Sequence, residues 1–242
     1  MSLAPLFQEA PLIAVLSCRA HRETRQQAVR ETWARHLPTG WRLVFLEGGA
    51  ESPALEGDRL LLPAPETYED LAERMHAFFR LFRDEPKPRL LLKVDDDTFV
   101  RSDRLPGLLD EAPGTDYRGH CEQVEFVLGA PYAQGGAYAL RPPALGALAA
   151  FDWARGEGER WWKGQTRLKD PRSASWLGPT SVEDMMVGDL LRAAGIPLTH
   201  DVRFGQGSWP LPFGRRLTCH PVTPRQMRRL ARWWSRQPPS SP

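Results

Sequence analysis

The sequence predicts an α/β fold with a mostly parallel central sheet flanked by helices. Three observations carry this. Short apolar runs alternate with longer segments of helical period. Gly and Pro fall at the junctions between them. An acidic triplet closes one apolar run, and sheets of this type bind ligands beyond the C-terminal ends of their strands.

The elements follow in order. Residues 12–17 are an apolar run, expected as a buried strand. Residues 22–36 place Ala28, Val29, Thr32, Trp33 and Leu37 at helical spacing. Residues 41–46 and 59–62 read as further strands, ended by Gly48-Gly49 and Pro63. Thr67 is an expected N-cap for a helix that puts Leu71, Met75, Phe78, Phe79 and Phe82 on one face. Pro86 and Pro88 stop that helix, and residues 89–94 form the next strand. A strand is expected at 125–128 and a helix at 142–151 with proline in its first turn. Residues 152–180 lack period and read as a long functional loop. Helices are expected over 181–194 and 224–236, with Trp33 and the Trp233-Trp234 pair as packing residues. The tail, 237–242, is expected to be disordered.

The chain has 242 residues, enough for one domain over 1–236. Hydrophobic residues make up 41%, so a sizeable core needs no disulfides. A net charge of +2 argues against nucleic acid as the main partner. The basic charge is nearly all arginine, 28 Arg against 4 Lys, and this skew by itself indicates no mechanism. Three cysteines, Cys18, Cys121 and Cys219, cannot form a fully paired framework, which points to a reducing, cytoplasmic setting. No run approaches the 18 apolar residues of a transmembrane segment, and the start lacks a signal peptide's basic region.

The strongest chemical signal is LLLKVDDDTFV, residues 90–100. Adjacent carboxylates repel one another, and a divalent cation offsets that repulsion. Hard oxygen ligands suit Mn²⁺ or Mg²⁺, which in turn hold phosphate oxygens. In an extended segment Asp95 and Asp97 point one way and Asp96 the other. The competing reading is an acidic turn on a solvated loop.

Five segments in order resemble the β-1,3-galactosyltransferase family, which includes β-1,3-N-acetylglucosaminyltransferases and the fringe enzymes. They are RETRQQAVRETW (22–33), ETYEDLAERM (66–75), LLLKVDDDTFV (90–100), YAQGGAYALRP (132–142) and VEDMMVGDLLRAAGI (182–196). The resemblance spans about residues 12–234. It implies a GT-A-like fold: a nucleotide-binding half, about 11–118, merged with an acceptor-binding catalytic half, about 119–236. It further implies inverting transfer of galactose or N-acetylglucosamine from a UDP-sugar, with Mn²⁺ (or Mg²⁺), to a glycan or glycolipid acceptor.

By that resemblance Asp97 ligates the metal, and His220 adds a further ligand. Asp95 lies against the donor's ribose or sugar, with Asp96 supporting it. Asp184 is the expected base, taking the acceptor's proton. The spacing of Ser181 and Asp184 also fits a capping box, and a helix N-terminus would keep the carboxylate ionised. Glu183 is the fallback. Arg25 and Arg30 are placed near the nucleotide, where arginine forks suit phosphate. Arg74 stands where the family often has lysine, and Asp70 replaces its asparagine. Gly135 and Gly136 either let backbone approach a sugar or form an ordinary turn. Trp161, Trp162 and Trp176 are expected as an acceptor wall, with Glu183 beside them, or as core.

Two other functions compete: a non-catalytic module binding glycans or nucleotide-sugars on the same fold, and a nucleotidyltransferase. The last wants a Gly-rich phosphate loop near the N-terminus, and SCRAHRETR contains none.

Overall fold

A computed structural model describes residues 3–110, 114–122, 131–151, 168–169, 176–177, 183–206 and 215–236. The strands are β1 (Leu12–Leu16), β2 (Arg42–Glu47), β3 (Ala54–Glu56), β4 (Arg59–Leu61), β5 (Leu91–Asp95), β6 (Phe99–Val100), β7 (Tyr117–Glu122), β8 (Tyr132–Leu140), β9 (Leu168–Lys169), β10 (Trp176–Leu177), β11 (Leu198–His200), β12 (Phe204–Gln206) and β13 (Thr218–His220). The α-helices are α1 (Gln27–Glu31), α2 (Leu71–Arg80), α3 (Pro142–Ala150), α4 (Glu183–Ala193) and α5 (Pro224–Trp234).

The expected α/β architecture is present. Eight strands form one sheet in the order β11-β7-β8-β5-β1-β2-β4-β3. Its centre is parallel: β1 pairs with both β2 and β5, and β2 with β4. The long strand β8 runs antiparallel to both β5 and β7. A small sheet, β12-β13-β6, brings His220 beside the end of β5.

Strand alternation splits the core into two layers. Leu12, Ala14 and Leu16 of β1 face a cluster with α2, α3 and α4, which supply Met75, Phe78, Leu145 and Leu190. Ile13 and Val15 face the other side, where α1, α5 and Trp33 supply Val29, Met227 and Leu230. Both faces of β1, β2 and β5 are thus covered, which is why those strands are continuous apolar runs.

Several expectations change. The helix expected over 22–36 is broken: a wide turn (Arg22–Gln26) leads into α1, and a tight turn (Trp33–His36) follows it. Thr32 Oγ1 bonds back to Ala28 O at 2.6 Å, a local bond that competes with helical continuation. Thr67 does not cap backbone; its hydroxyl donates to the Asp70 carboxylate, ahead of a tight turn (Tyr68–Asp70) that precedes α2. Trp33 and Trp234 pack as expected, but Trp233 is 39% exposed. Residues 132–140, where a turn at the glycine pair was one reading, are the continuous strand β8. The strand expected at 125–128, nearly all of the 152–180 loop, Ser181 and the tail lie outside the described residues.

Candidate active site

The acidic triplet follows β5 at the sheet's C-terminal edge. There it borders a cleft of about 310 Å³ lined by Ser17, Cys18, Arg25, Tyr68, Arg74 and His220 as well as the three carboxylates. That volume lies at the small end of ligand pockets.

The triplet splits into one buried and two cleft-facing carboxylates, although Asp96 and Asp97 lie in a turn after β5 and not in an extended segment. Asp96 is buried and accepts from Ser17 Oγ (2.7 Å), Arg25 (2.9 Å) and, across the cleft floor, lies 2.7 Å from His21 Nδ1. It ties the turn after β1 to the end of β5. Asp95, Asp97 and His220 are left facing one point. Each offers one ligand atom, and these atoms lie within 4.8 Å of one another. Two carboxylates and an imidazole suit a divalent cation such as Mn²⁺ or Mg²⁺, so the donor set fits the expected metal.

The surrounding groups fix these ligands. His220 Nδ1 lies 3.1 Å from Asp97 Oδ1 and 3.1 Å from Thr98 Oγ1, whose hydroxyl also bonds Gly136 O at 2.7 Å. Gly136 has no side chain for a steric reason: a Cβ there would meet the His220 ring at 2.5 Å. Burial acts to raise the Asp97 pKa, but the His220 bond and the charges of His220 and Arg25 outweigh it and hold the carboxyl below its usual range.

Asp184 lies in the first turn of α4. Its Oδ2 accepts from Gly135 N at 2.9 Å and its Oδ1 from Met185 N at 2.9 Å. A Cβ on Gly135 would lie 3.3 Å from Asp184 Oδ2. Burial, with the Glu183 charge behind it, pushes the Asp184 pKa up to about 7. The ionising effect expected of the helix N-terminus is therefore outweighed by desolvation.

Lys93 joins the two regions. It lies buried on β5, and its ammonium donates to Asp95 Oδ1 (2.8 Å), Gly135 O (2.5 Å) and Glu183 Oε2 (3.0 Å). The sequence alone assigns this lysine no role. The available signal was a lone cation inside an apolar strand, which a buried site tolerates only with partners. Glu183 is buried between Lys93 and the Tyr138 hydroxyl, so it stands behind the cleft and not on an acceptor wall.

The remaining candidates divide. Arg25 reaches the cleft, but its Nη1 alone meets both Asp96 (2.9 Å) and Asp97 (3.2 Å). Arg74 is almost fully buried and bonds the carbonyls of Ser17, Pro65 and Thr67; it shapes the wall from behind. Arg30 is a correction. It pairs with Asp58 at 2.7 Å, stacks 4.3 Å over Phe45 and does not line the cleft, because its helical position turns it away. Trp161 and Trp162 lie outside the described residues, and of Trp176 only the strand β10 is described.

No family model matches the sequence, and no curated protein does. Solved glycosyltransferases do share the fold. The galactosyltransferase LgtC, solved with donor and acceptor sugar analogues, superposes with a TM-score of 0.52 at 15% identity, over 94% of this chain and 97% of LgtC. The apo form of the glycosyltransferase GlyE of Streptococcus pneumoniae TIGR4 gives 0.51 at 9% identity, over 89% of this chain and 55% of GlyE. At these identities the likeness bears on architecture: the chain has the GT-A-like α/β fold of glycosyltransferases.

Proposed function

We propose that the chain is a metal-dependent, inverting glycosyltransferase that moves galactose or N-acetylglucosamine from a UDP-sugar to an acceptor hydroxyl, with a β-1,3 linkage. One observation carries the proposal: Asp95, Asp97 and His220 converge at the sheet's C-terminal edge, in the cleft where this fold binds ligands. The shared fold supports sugar transfer; the five-segment resemblance supports the narrower donor, linkage and stereochemistry. In this account residues of about 11–118 hold the donor and those of about 119–236 hold the acceptor.

Asp95, Asp97 and His220 would hold Mn²⁺ or Mg²⁺, which when bound supplies charge neutralisation to the departing diphosphate. Asp96 braces the site from below through Ser17 and Arg25. Thr98 orients the His220 ring. Asp184 accepts the proton of the acceptor hydroxyl as the new bond forms, and Gly135 N keeps one carboxylate oxygen fixed while the hydroxyl approaches. Lys93 holds Asp95 in place.

The test is UDP release from UDP-galactose or UDP-N-acetylglucosamine with Mn²⁺ and an acceptor, in the parent and in Asp97→Ala and Asp184→Asn. Both variants should lose turnover, and only Asp97→Ala should lose Mn²⁺ uptake. Undiminished turnover in Asp97→Ala would overturn the assignment. Retention of the donor's anomeric configuration in the product would overturn inversion. UDP binding without release under any donor would favour the binding module.

A further inference from the structure

The chain's charge is unevenly placed. Residues 202–242 contain eight arginines and no acidic residue, whereas residues 1–201 hold 24 basic against 30 acidic side chains. The modest +2 of the whole therefore combines a +8 end with a −6 body.

Helix α5 displays part of that charge on one line. It buries Met227 and Leu230 against the core and half-buries Ala231 and Trp234. Its opposite face carries Arg225, Arg229 and Arg232, all exposed and spaced i, i+4, i+7, and Arg236 follows just past the helix end. Arg228 lies to one side and is neutralised by Glu31 at 2.7 Å. The four outward arginines pair with no acidic side chain among the described residues. Trp233 flanks the line and is 39% exposed. Like charges at this spacing oppose one another, and a merely solvated helix face usually mixes both signs.

We propose that the arginine face of α5 docks the protein on anionic lipid headgroups, with Trp233 entering the interfacial layer. The apolar side of α5 is committed to the core, so the contact is a peripheral, electrostatic one and the helix does not insert. An indole beside arginines suits a headgroup layer, where its ring is apolar and its N–H is wet. The straight, single-face pattern fits a plane. A nucleic acid, whose phosphates wind around its axis, would also meet the acidic body. Pro224 lies four residues past His220, so docking would hold the cleft near the bilayer. That suits an acceptor carried on a lipid, which rests on the proposed transferase activity; the docking itself does not.

The test is sedimentation of the full chain with phosphatidylcholine vesicles that do or do not contain phosphatidylglycerol. Binding should require phosphatidylglycerol and fall with added salt. Arg225→Gln/Arg229→Gln/Arg232→Gln should weaken it about 100-fold, at about fivefold per arginine, and Trp233→Ala should weaken it independently. A control of equal charge loss on another surface, Arg80→Gln/Arg83→Gln/Arg89→Gln, should bind as the parent does. The proposal is overturned if the parent ignores phosphatidylglycerol, if both triple variants weaken alike, or if duplex DNA binds more tightly than the vesicles at the same salt. A parent that docks on vesicles but takes up no UDP would sink the transferase proposal and leave the docking standing.

Discussion

Lys93→Met should destabilise the protein far more than its single position suggests. The lysine is 1% exposed and its ammonium makes three bonds, to Asp95, Gly135 O and Glu183. Methionine fills similar volume, so packing changes little. What is lost is the counter-charge to Glu183, itself 5% exposed and already raised in pKa by burial that Lys93 opposes. Breaking a buried pair from one side costs about 3–5 kcal/mol, because the other charge stays buried and uncompensated. For a chain of this size each kcal/mol lowers Tm by about 2–4 °C. The expected fall is therefore about 6–20 °C, read by thermal unfolding and by urea titration at pH 7. Adding Glu183→Gln should restore much of the loss, since the Tyr138 hydroxyl keeps an acceptor and the most deeply buried lone charge is removed. Asp95 tolerates the change better, because it is partly exposed to water. A loss below about 1 kcal/mol, the level of an exposed pair, would refute the reasoning. So would a double variant less stable than Lys93→Met alone.

Further outcomes are expected at three positions. With the Asp184 pKa pushed up to about 7, the ionised base is lost on acidification, so kcat/KM should fall below about pH 7 and Asp184→Asn should lower turnover by about 10²–10⁴-fold. The linkage has a fixed sign: a carboxyl raised from 3.8 favours folding when protonated, and that contribution is lost as pH rises towards 7, so Asp184→Asn should unfold at higher temperature than the parent at pH 8 but not at pH 4. Gly136→Ala should push the His220 ring aside and weaken Mn²⁺ uptake in calorimetry, at about 1–3 kcal/mol of stability for the overpacked contact. Arg30→Ala should leave UDP affinity unchanged and cost about 1 kcal/mol through the Asp58 pair and the Phe45 stack.

The sheet's centre was legible because its physics is local. Runs such as LIAVL and LLLKVD declare strands buried on both faces, and the Met75, Phe78 and Phe79 spacing declares α2. Strand β8 was not legible, since two glycines weaken a strand signal. Their reason lies elsewhere: Gly135 admits Asp184 and Gly136 admits His220, both far along the chain. The same distance hid the true surroundings of Arg30 and Arg74, which look alike as exposed helical cations. One meets Asp58 on a neighbouring loop, the other three backbone carbonyls in the wall of the cleft. The triplet's split agrees with the expectation for an extended segment, but its cause is different: Asp96 and Asp97 lie in a turn after β5, closed by Thr98 N donating to Asp95 O at 3.0 Å.

The electrostatics of the cleft and of the buried groups behind it separate the carboxylates into two kinds. Asp95 and Glu183 share the Lys93 ammonium, and Asp96 and Asp97 share the Arg25 guanidinium, so carboxylates outnumber these two cations. Crowding alone would relieve itself by protonation. Here it does not, because His220 and Arg25 hold Asp97 below the usual carboxylate range. Asp184, by contrast, has burial and a like charge behind it, and titrates near neutrality. Environments that drive two acids of one region in opposite directions mark a division of labour. The acid held below the usual carboxylate range is fitted to grip a cation. The acid poised near 7 is fitted to exchange a proton.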